Sequence, residues 1–279
     1  MMQFSIVEQI ALVVFLLSGI SFFLYHLLIR LKIVLKGKSN FSIDELPKRI
    51  KRVFDEVILH KKVASGKRKS AGILHALVMY GFIFFGLITI NHFGMAFGLP
   101  IFSDSIKHTY FLFFGAPWAI LCSIGILGLA YRRFVIKPEA LGKFSSTSAI
   151  VSVFIVTLMV TYLIDEFHIL SGTAEKFNWW LHSGVIGGFL FLIPQSKHMH
   201  LVLSPFNIFL RPFEVPSHGA IPIDMEASEE ELDNLLLDLS RLSKDQALDI
   251  FTCVECGRCT DVCPANRGGG ILDPKYHFI

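Results

Sequence analysis

Residues 73–97, ILHALVMYGFIFFGLITINHFGMAF, run for twenty-five positions without an Asp, Glu, Lys or Arg. A helix needs about 20 mostly apolar residues to cross a bilayer. It also satisfies its own backbone hydrogen bonds in lipid, so helix is the expected form. Four further stretches, 6–29, 110–131, 149–167 and 179–203, are also mostly apolar, with Glu8, Asp165, Glu166 and Lys197 as their charged residues. Together they predict an all-α membrane protein built on a bundle of five transmembrane helices. The composition agrees: 53% of residues are hydrophobic and only 18% charged, more apolar than soluble domains generally are.

The basic residues decide orientation, because cytoplasmic loops carry the excess of Lys and Arg. Thirteen of them lie between Arg30 and Lys69, and Arg132, Arg133, Lys137 and Lys143 follow the third stretch. The intervening loops offer only Lys107 and Lys176. The N-terminus is therefore expected outside and the C-terminus in the cytoplasm, with localisation in the cell membrane. The first apolar run lacks a basic leader and is followed by positive charge, which suits a signal anchor rather than a cleaved peptide. Positive charge beside a membrane span points to lipid headgroups and not to nucleic acid.

Residues 42–63 are expected to form an amphipathic helix interrupted early by Pro47. Ile50, Val53, Phe54, Val57 and Ile58 would lie on one side, the lysines and arginines on the other. A solvated connector reads equally well, with His60 at its surface. After the last apolar stretch, Pro205, Pro212, Pro216 and Pro222 mark a boundary. We divide the chain into 1–210 (transmembrane domain), 211–249 (linker with short helices) and 250–279 (partial ferredoxin-type segment). In the linker, Ser228 with Glu231 and Ser243 with Gln246 have capping-box spacing; the first opens a helix carrying Leu232, Leu235, Leu236 and Leu239.

The run CVECGRCTDVCPA places Cys253, Cys256, Cys259 and Cys263 in the C-x2-C-x2-C-x3-C-P spacing that holds 4Fe-4S clusters. Zinc sites generally use two separated ligand pairs, and a disulfide is not expected on the cytoplasmic side. In this spacing the fourth cysteine ligates the other of two clusters, and no second run is present. Cys253, Cys256 and Cys259 then serve one cluster, and Cys263 a cluster completed elsewhere, as from a truncated or split gene product; one cluster using all four is the alternative. Cys122, inside an apolar stretch, reads as a small packing residue.

Histidine in a membrane span is costly and marks function. On a continuous last helix, His182 and His200 are eighteen residues apart, hence on one face and about 27 Å apart. His75 and His92 occupy the second stretch, about 100° apart around the helix. Antiparallel packing would bring His75 to His200 and His92 to His182, two facing pairs suited to two haems. His92 reads equally as an interfacial residue beside Asn91. Gly81, Gly86, Gly184, Gly187 and Gly188 would leave room for a flat macrocycle or serve close packing. His108, His168, His198 and His218 read as interfacial. Asn91, His92, Asp165, Glu166 and His168 form a candidate quinone-head site, and Lys197 and Arg211 are candidates for neutralising haem propionates.

The segments WWLHSGVIGGFLFLIPQSKHMHLVLSPFNIFLRP (179–212) and GILHALVMYGFIFF (72–85) resemble the haem-b membrane proteins related to the respiratory nitrate reductase gamma subunit. The whole order of parts resembles the family in which that domain is fused to heterodisulfide-reductase-like iron–sulfur modules. The resemblance implies haem b, one or two, with His75, His182 and His200 as ligands and His92 as a loose match. It implies an oxidoreductase subunit passing electrons between a cytoplasmic partner, 4Fe-4S clusters, haem and the quinone pool. The implied partners are menaquinone and an electron-transfer flavoprotein or iron–sulfur subunit. Two rivals remain: a membrane anchor or assembly subunit for a soluble iron–sulfur enzyme, and a histidine-lined transporter.

Overall fold

The computed structural model describes residues 3–37, 43–213, Glu226, Ser228 and 242–277. Among them every regular element is helical: α1 Ile6–Leu35, α2 Leu46–Val53, α3 Lys69–Ala96, α4 Asp104–Tyr110, α5 Ala116–Tyr131, α6 Ser146–Glu166, α7 Thr173–Leu192, α8 His200–Leu210, α9 Lys244–Thr252, α10 Arg258–Val262 and α11 Pro264–Arg267. Four helical stretches are long and apolar enough to cross a membrane: α1, α3, the run Ser105–Ile136 and α6. The run Ser105–Ile136 joins α4 to α5 through a wide turn of helix at Phe111–Gly115.

The expected last span behaves differently. Residues 179–203 do not form one helix: α7 ends at Leu192, short 3-10 turns cover Ile193–Gln195 and Lys197–Met199, and α8 begins at His200. The cause is local. Pro194 lacks an N–H to continue the ladder, and the Ser196 hydroxyl accepts a hydrogen bond from the His198 amide, capping the next turn. His182 and His200 are therefore not two points on one helical face.

Contacts divide the chain into two compact units, residues 1–22 with 62–192, and 23–61 with 193–279. These limits differ from the boundaries at 210 and 249 read from composition. In the first unit, α3 packs on α5, α5 on α6 and α6 on α7. Glycines set these approaches. A Cβ on Gly81 would stand 2.8 Å from the Cys122 sulfur, and one on Gly125 2.7 Å from the Leu74 carbonyl oxygen. Helices in lipid gain by such close contact, since apolar burial offers little there. Cys122 is buried and packs as expected. Leu12, Ala96 and Trp179 form a core near the start of α1, with Phe4, Leu16, Phe93 and Trp180 around it.

In the second unit, Val34, Met199, Leu203, Ala247 and Leu248 form the core. The capping box at Ser243 and Gln246 opens α9 as the sequence predicts. The box at Ser228 and its leucine helix lie outside the described residues, as does His218.

Residues 46–58 depart from expectation in two ways. Pro47 does not interrupt the helix but starts it, sitting in the first turn of α2 where its missing N–H costs nothing. The packed side carries Arg49 and Arg52, while Lys48 and Lys51 stay exposed. Arg49 is 2% exposed, whereas Ile50 and Phe54 are 57% and 52% exposed. Arg49 donates to the carbonyls of Phe209 and Arg211, and Arg52 donates to Arg211, so the two guanidinium groups serve the orphan carbonyls that end α8. Arg211 in turn pairs with Glu56 at 2.7 Å. His60 is buried rather than superficial, and burial holds its imidazole below the usual histidine range.

Gly187 lies against the Phe15 ring, whereas a Cβ on Gly184 meets nothing within 4 Å. Gly187→Val should therefore lower the thermal midpoint of the detergent-solubilised protein by the equivalent of about 1–3 kcal/mol. Gly184→Ala should leave the midpoint unchanged or slightly higher. Equal shifts in the two variants would remove close packing at Gly187 as the cause.

Candidate functional site: a polar cavity, two oriented imidazoles and a cysteine loop

The first unit holds a small, partly open cavity of about 30 Å³. It is lined by Ile88, Asn91, His92 and Met95 of α3, Lys107 of α4, Thr161, Tyr162, Asp165 and Glu166 of α6, and Asn178, Trp179 and His182 of α7. Of the candidate quinone residues, Asn91, His92, Asp165 and Glu166 are brought together here. His168 is not; it lies exposed past the end of α6 with φ at +51°. A water molecule needs roughly 10–15 Å³ of such space, so the cavity suits two or three waters.

The polar groups around it are held by specific partners. The Asn91 amide oxygen accepts from the backbone amides of Ile101 and Phe102 at 2.8 and 3.0 Å, tying the loop after α3 to the helix. Lys107 pairs with Glu166 at 3.0 Å, the carboxylate side chain being only 9% exposed. Asn178 donates to the Thr161 carbonyl.

Thr161 carries the argument on His182. Its hydroxyl lies 2.7 Å from the Thr157 carbonyl oxygen and 2.7 Å from His182 Nδ1. A carbonyl can only accept, so the hydroxyl proton goes to Thr157. His182 Nδ1 must then be the donor to Thr161 Oγ1, which leaves Nε2 with its lone pair. Metal-binding histidines are oriented this way, one ring nitrogen donating to a supporting group and the other facing the metal. His200 shows the same pattern, Nδ1 donating to the Lys197 carbonyl at 2.8 Å.

His92 is arranged otherwise. Its Nε2 lies 2.9 Å from the Ser183 hydroxyl, and its ring stacks on Trp179 at 4.7 Å. The His92 and His182 rings are neighbours, with centres 4.9 Å apart. A ligating imidazole nitrogen stands about 2 Å from its metal, and the ring centre about 1 Å further. Two axial imidazoles thus have centres about 6 Å apart, and the observed spacing does not fit a macrocycle between them. His75 lies on α3 in the first unit, and His200 opens α8 in the second. Of the candidate glycines, Gly81, Gly187 and Gly188 meet neighbouring side chains, and Gly86 and Gly184 face open space.

In the second unit, α9 leads directly into the cysteine run. Asn207 of α8 donates to Asp249 and Thr252 of α9, both at 2.7 Å, so the helix that starts at His200 is tied to the helix that ends at Cys253. Glu255 and Gly257 both adopt positive φ, +55° and +71°, which folds residues 253–259 into a tight turn. Burial pushes the Cys253 thiol up, the Glu255 amide opposes that by donating to it, and the neighbouring Cys256 and Cys259 add to the rise. Among the described residues no three His, Cys, Asp or Glu side chains converge to metal-binding distance. The loop fits an iron–sulfur cluster by its donor set and its turn; metal binding and local folding are commonly coupled. Lys197 and Arg211, candidates for propionates, are engaged with Glu255 and Glu56.

Neither Thr161 nor Asn178 is singled out by the sequence pattern, and Lys107 figures there only as a loop charge. A threonine in an apolar span and an asparagine one turn before His182 were the available signals. His26, on α1, was likewise overlooked among the histidines of apolar stretches.

Comparison with known proteins identifies two relatives. The chain is 29% identical over 304 aligned residues to "Probable iron-sulfur-binding oxidoreductase FadF" of Bacillus subtilis, the alignment covering 98% of this chain and 42% of the relative. It is 24% identical over 313 residues to the "EtfAB:quinone oxidoreductase" of Syntrophomonas wolfei, covering 95% of this chain and again 42% of the relative. The chain thus spans about two fifths of the length of the curated relatives it matches. No protein-family model and no solved structure matches it.

Thr161→Val keeps the shape of the side chain but leaves the buried His182 Nδ1–H without its acceptor. The expected cost is about 1–3 kcal/mol of stability, read as a lower thermal midpoint, with Thr161→Ser close to the parent. A Thr161→Val variant as stable as the parent would contradict this account of the His182 ring.

Proposed function

We propose that the chain is the membrane part of an iron–sulfur oxidoreductase, carrying electrons between a cytoplasmic redox partner and the membrane quinone pool. The observation that carries the reading is the mounting of the cysteine run. In one chain bearing four membrane-length helices, Cys253 ends a helix bonded along the helix that His200 begins. The names of both relatives support it, one an iron–sulfur-binding oxidoreductase and the other a quinone oxidoreductase.

We assign Cys253, Cys256 and Cys259 to a 4Fe-4S cluster, with Cys263 directed to a second. We assign His75, His182 and His200 to haem b, and leave out His92 on the ring spacing given above. Bound clusters and haem supply one-electron chemistry; the protein sets their position, hydrogen bonding and access to water. Thr161 and the Lys197 carbonyl hold the His182 and His200 rings by their Nδ1 atoms, the tautomer in which Nε2 carries the lone pair. Reducing a quinone takes up two protons along with two electrons. Asp165 and Glu166, with Lys107 beside them, are the groups we assign to that exchange, around a cavity of the right size for water.

The soluble partner in this reading is an electron-transfer flavoprotein, by analogy with the second relative. The lipid-side partner is menaquinone, as the family resemblance implies. The charge asymmetry supports a cytoplasmic position for the cysteine run.

A second reading, a membrane anchor for a soluble iron–sulfur enzyme, draws support from the 4.9 Å spacing of His92 and His182. One experiment separates the two. In the purified membrane protein, a dithionite-reduced minus oxidised visible spectrum should show a b-type band, lost or shifted in His182→Ala and His200→Ala. Iron and acid-labile sulfide should be present per polypeptide and fall in Cys253→Ala. A folded preparation supplied with haem, iron and sulfide that stays colourless establishes the anchor reading instead.

A further inference from the structure

Lys197 connects two parts of the second unit at once. Its carbonyl accepts the hydrogen bond of His200 Nδ1 at 2.8 Å. Its ammonium pairs with Glu255 at 3.0 Å, with the lysine side chain 13% exposed and the glutamate 30%. Glu255 is no bystander in the cysteine loop. It stands between Cys253 and Cys256 in a left-handed conformation that a residue with a side chain rarely adopts, and its amide donates to the Cys253 sulfur. The side chain of Lys197 therefore fixes the residue whose backbone serves a cluster ligand. The main chain of Lys197 fixes the ring of a proposed haem ligand. A partly buried ion pair also sets local charge, because without its cation the Glu255 carboxylate faces the thiolates in a medium that screens weakly.

We propose that Lys197 is a positioning residue for the cysteine loop that also sets the potential of its cluster. It clamps Glu255 so that the 253–259 turn keeps its shape, and it cancels a carboxylate charge beside the sulfurs. Hydrogen bonds and net charge at the sulfurs are among the main determinants of cluster potential. An added negative charge favours the oxidised form. The potential part of the proposal rests on the iron–sulfur assignment made above; the clamp does not.

The test compares Lys197→Met, Lys197→Arg and the double variant Lys197→Met with Glu255→Gln, each in the full membrane protein. In the cluster-free chain, alkylation of the loop thiols by iodoacetamide is expected to be several-fold faster in Lys197→Met and near the parent rate in Lys197→Arg. After anaerobic reconstitution with iron and sulfide, a redox titration followed by electron paramagnetic resonance should show a more negative midpoint in Lys197→Met. The double variant should return towards the parent, since it removes the charge that Lys197 balanced. If Lys197→Met loses the cluster outright, regain in the double variant supports the proposal and continued loss overturns it. Unchanged alkylation and an unchanged midpoint in Lys197→Met also overturn it. A parent chain that takes up no cluster, yet shows the alkylation difference, would refute the proposed function and the potential-setting role while leaving the clamp in place. The haem-band position serves as the control: the bond from His200 goes to a main-chain carbonyl, so it should not move in any of the variants.

Discussion

The break in the backbone between Leu192 and His200 is the constraint on which the candidate redox groups depend. Pro194 cannot donate to the helical ladder, and Ser196 caps the turn that follows it. The polypeptide thereby stops one helix, reorganises over two short turns and starts another with His200 at its head. Had α7 continued, His182 and His200 would share a single rigid rod. Instead each imidazole is set by its own surroundings, one by α6 and the other by the turn immediately before it.

Those surroundings work by the same device. A hydroxyl already committed to a backbone carbonyl, or a carbonyl itself, can only accept from the imidazole. Nδ1 is thereby forced to be the donor and Nε2 keeps its lone pair. Groups that never touch a metal can prepare its ligands in this way. His92 lacks that preparation: its Nε2 is at the Ser183 hydroxyl and its ring is stacked on Trp179.

Basic residues in this chain do more than charge its loops. Arg49 and Arg52 end a helix by binding its last carbonyls, Arg211 pairs with Glu56, and Lys197 holds the cysteine loop. Charges that composition alone assigns to solvent are spent on main-chain acceptors and carboxylates. This in turn leaves Ile50 and Phe54 facing outward, as suits a helix lying at a membrane surface.

The sequence by itself determined the helical class, the membrane-length apolar stretches at α1, α3, α5 and α6, the cap at Ser243 and the cysteine spacing. All of these are written in local runs of composition, period or spacing, and local physics decides them. It also brought Asn91, His92, Asp165, Glu166 and His182 under consideration, because polar residues in apolar runs stand out. Tertiary structure decided the rest. Pro194 is the local cause of the end of α7 at Leu192, but the apolar residues on both sides of it mask the break in the sequence. That Arg49 would be buried and Ile50 exposed depended on where the carbonyl end of α8 came to lie, 160 residues away along the chain. The ring orientation of His182 rests on Thr161, twenty-one residues away, and the clamp on Glu255 rests on Lys197, fifty-eight residues away. Hydrogen bonds and ion pairs between distant residues leave no periodic trace in a sequence, because their geometry exists only once the helices have packed.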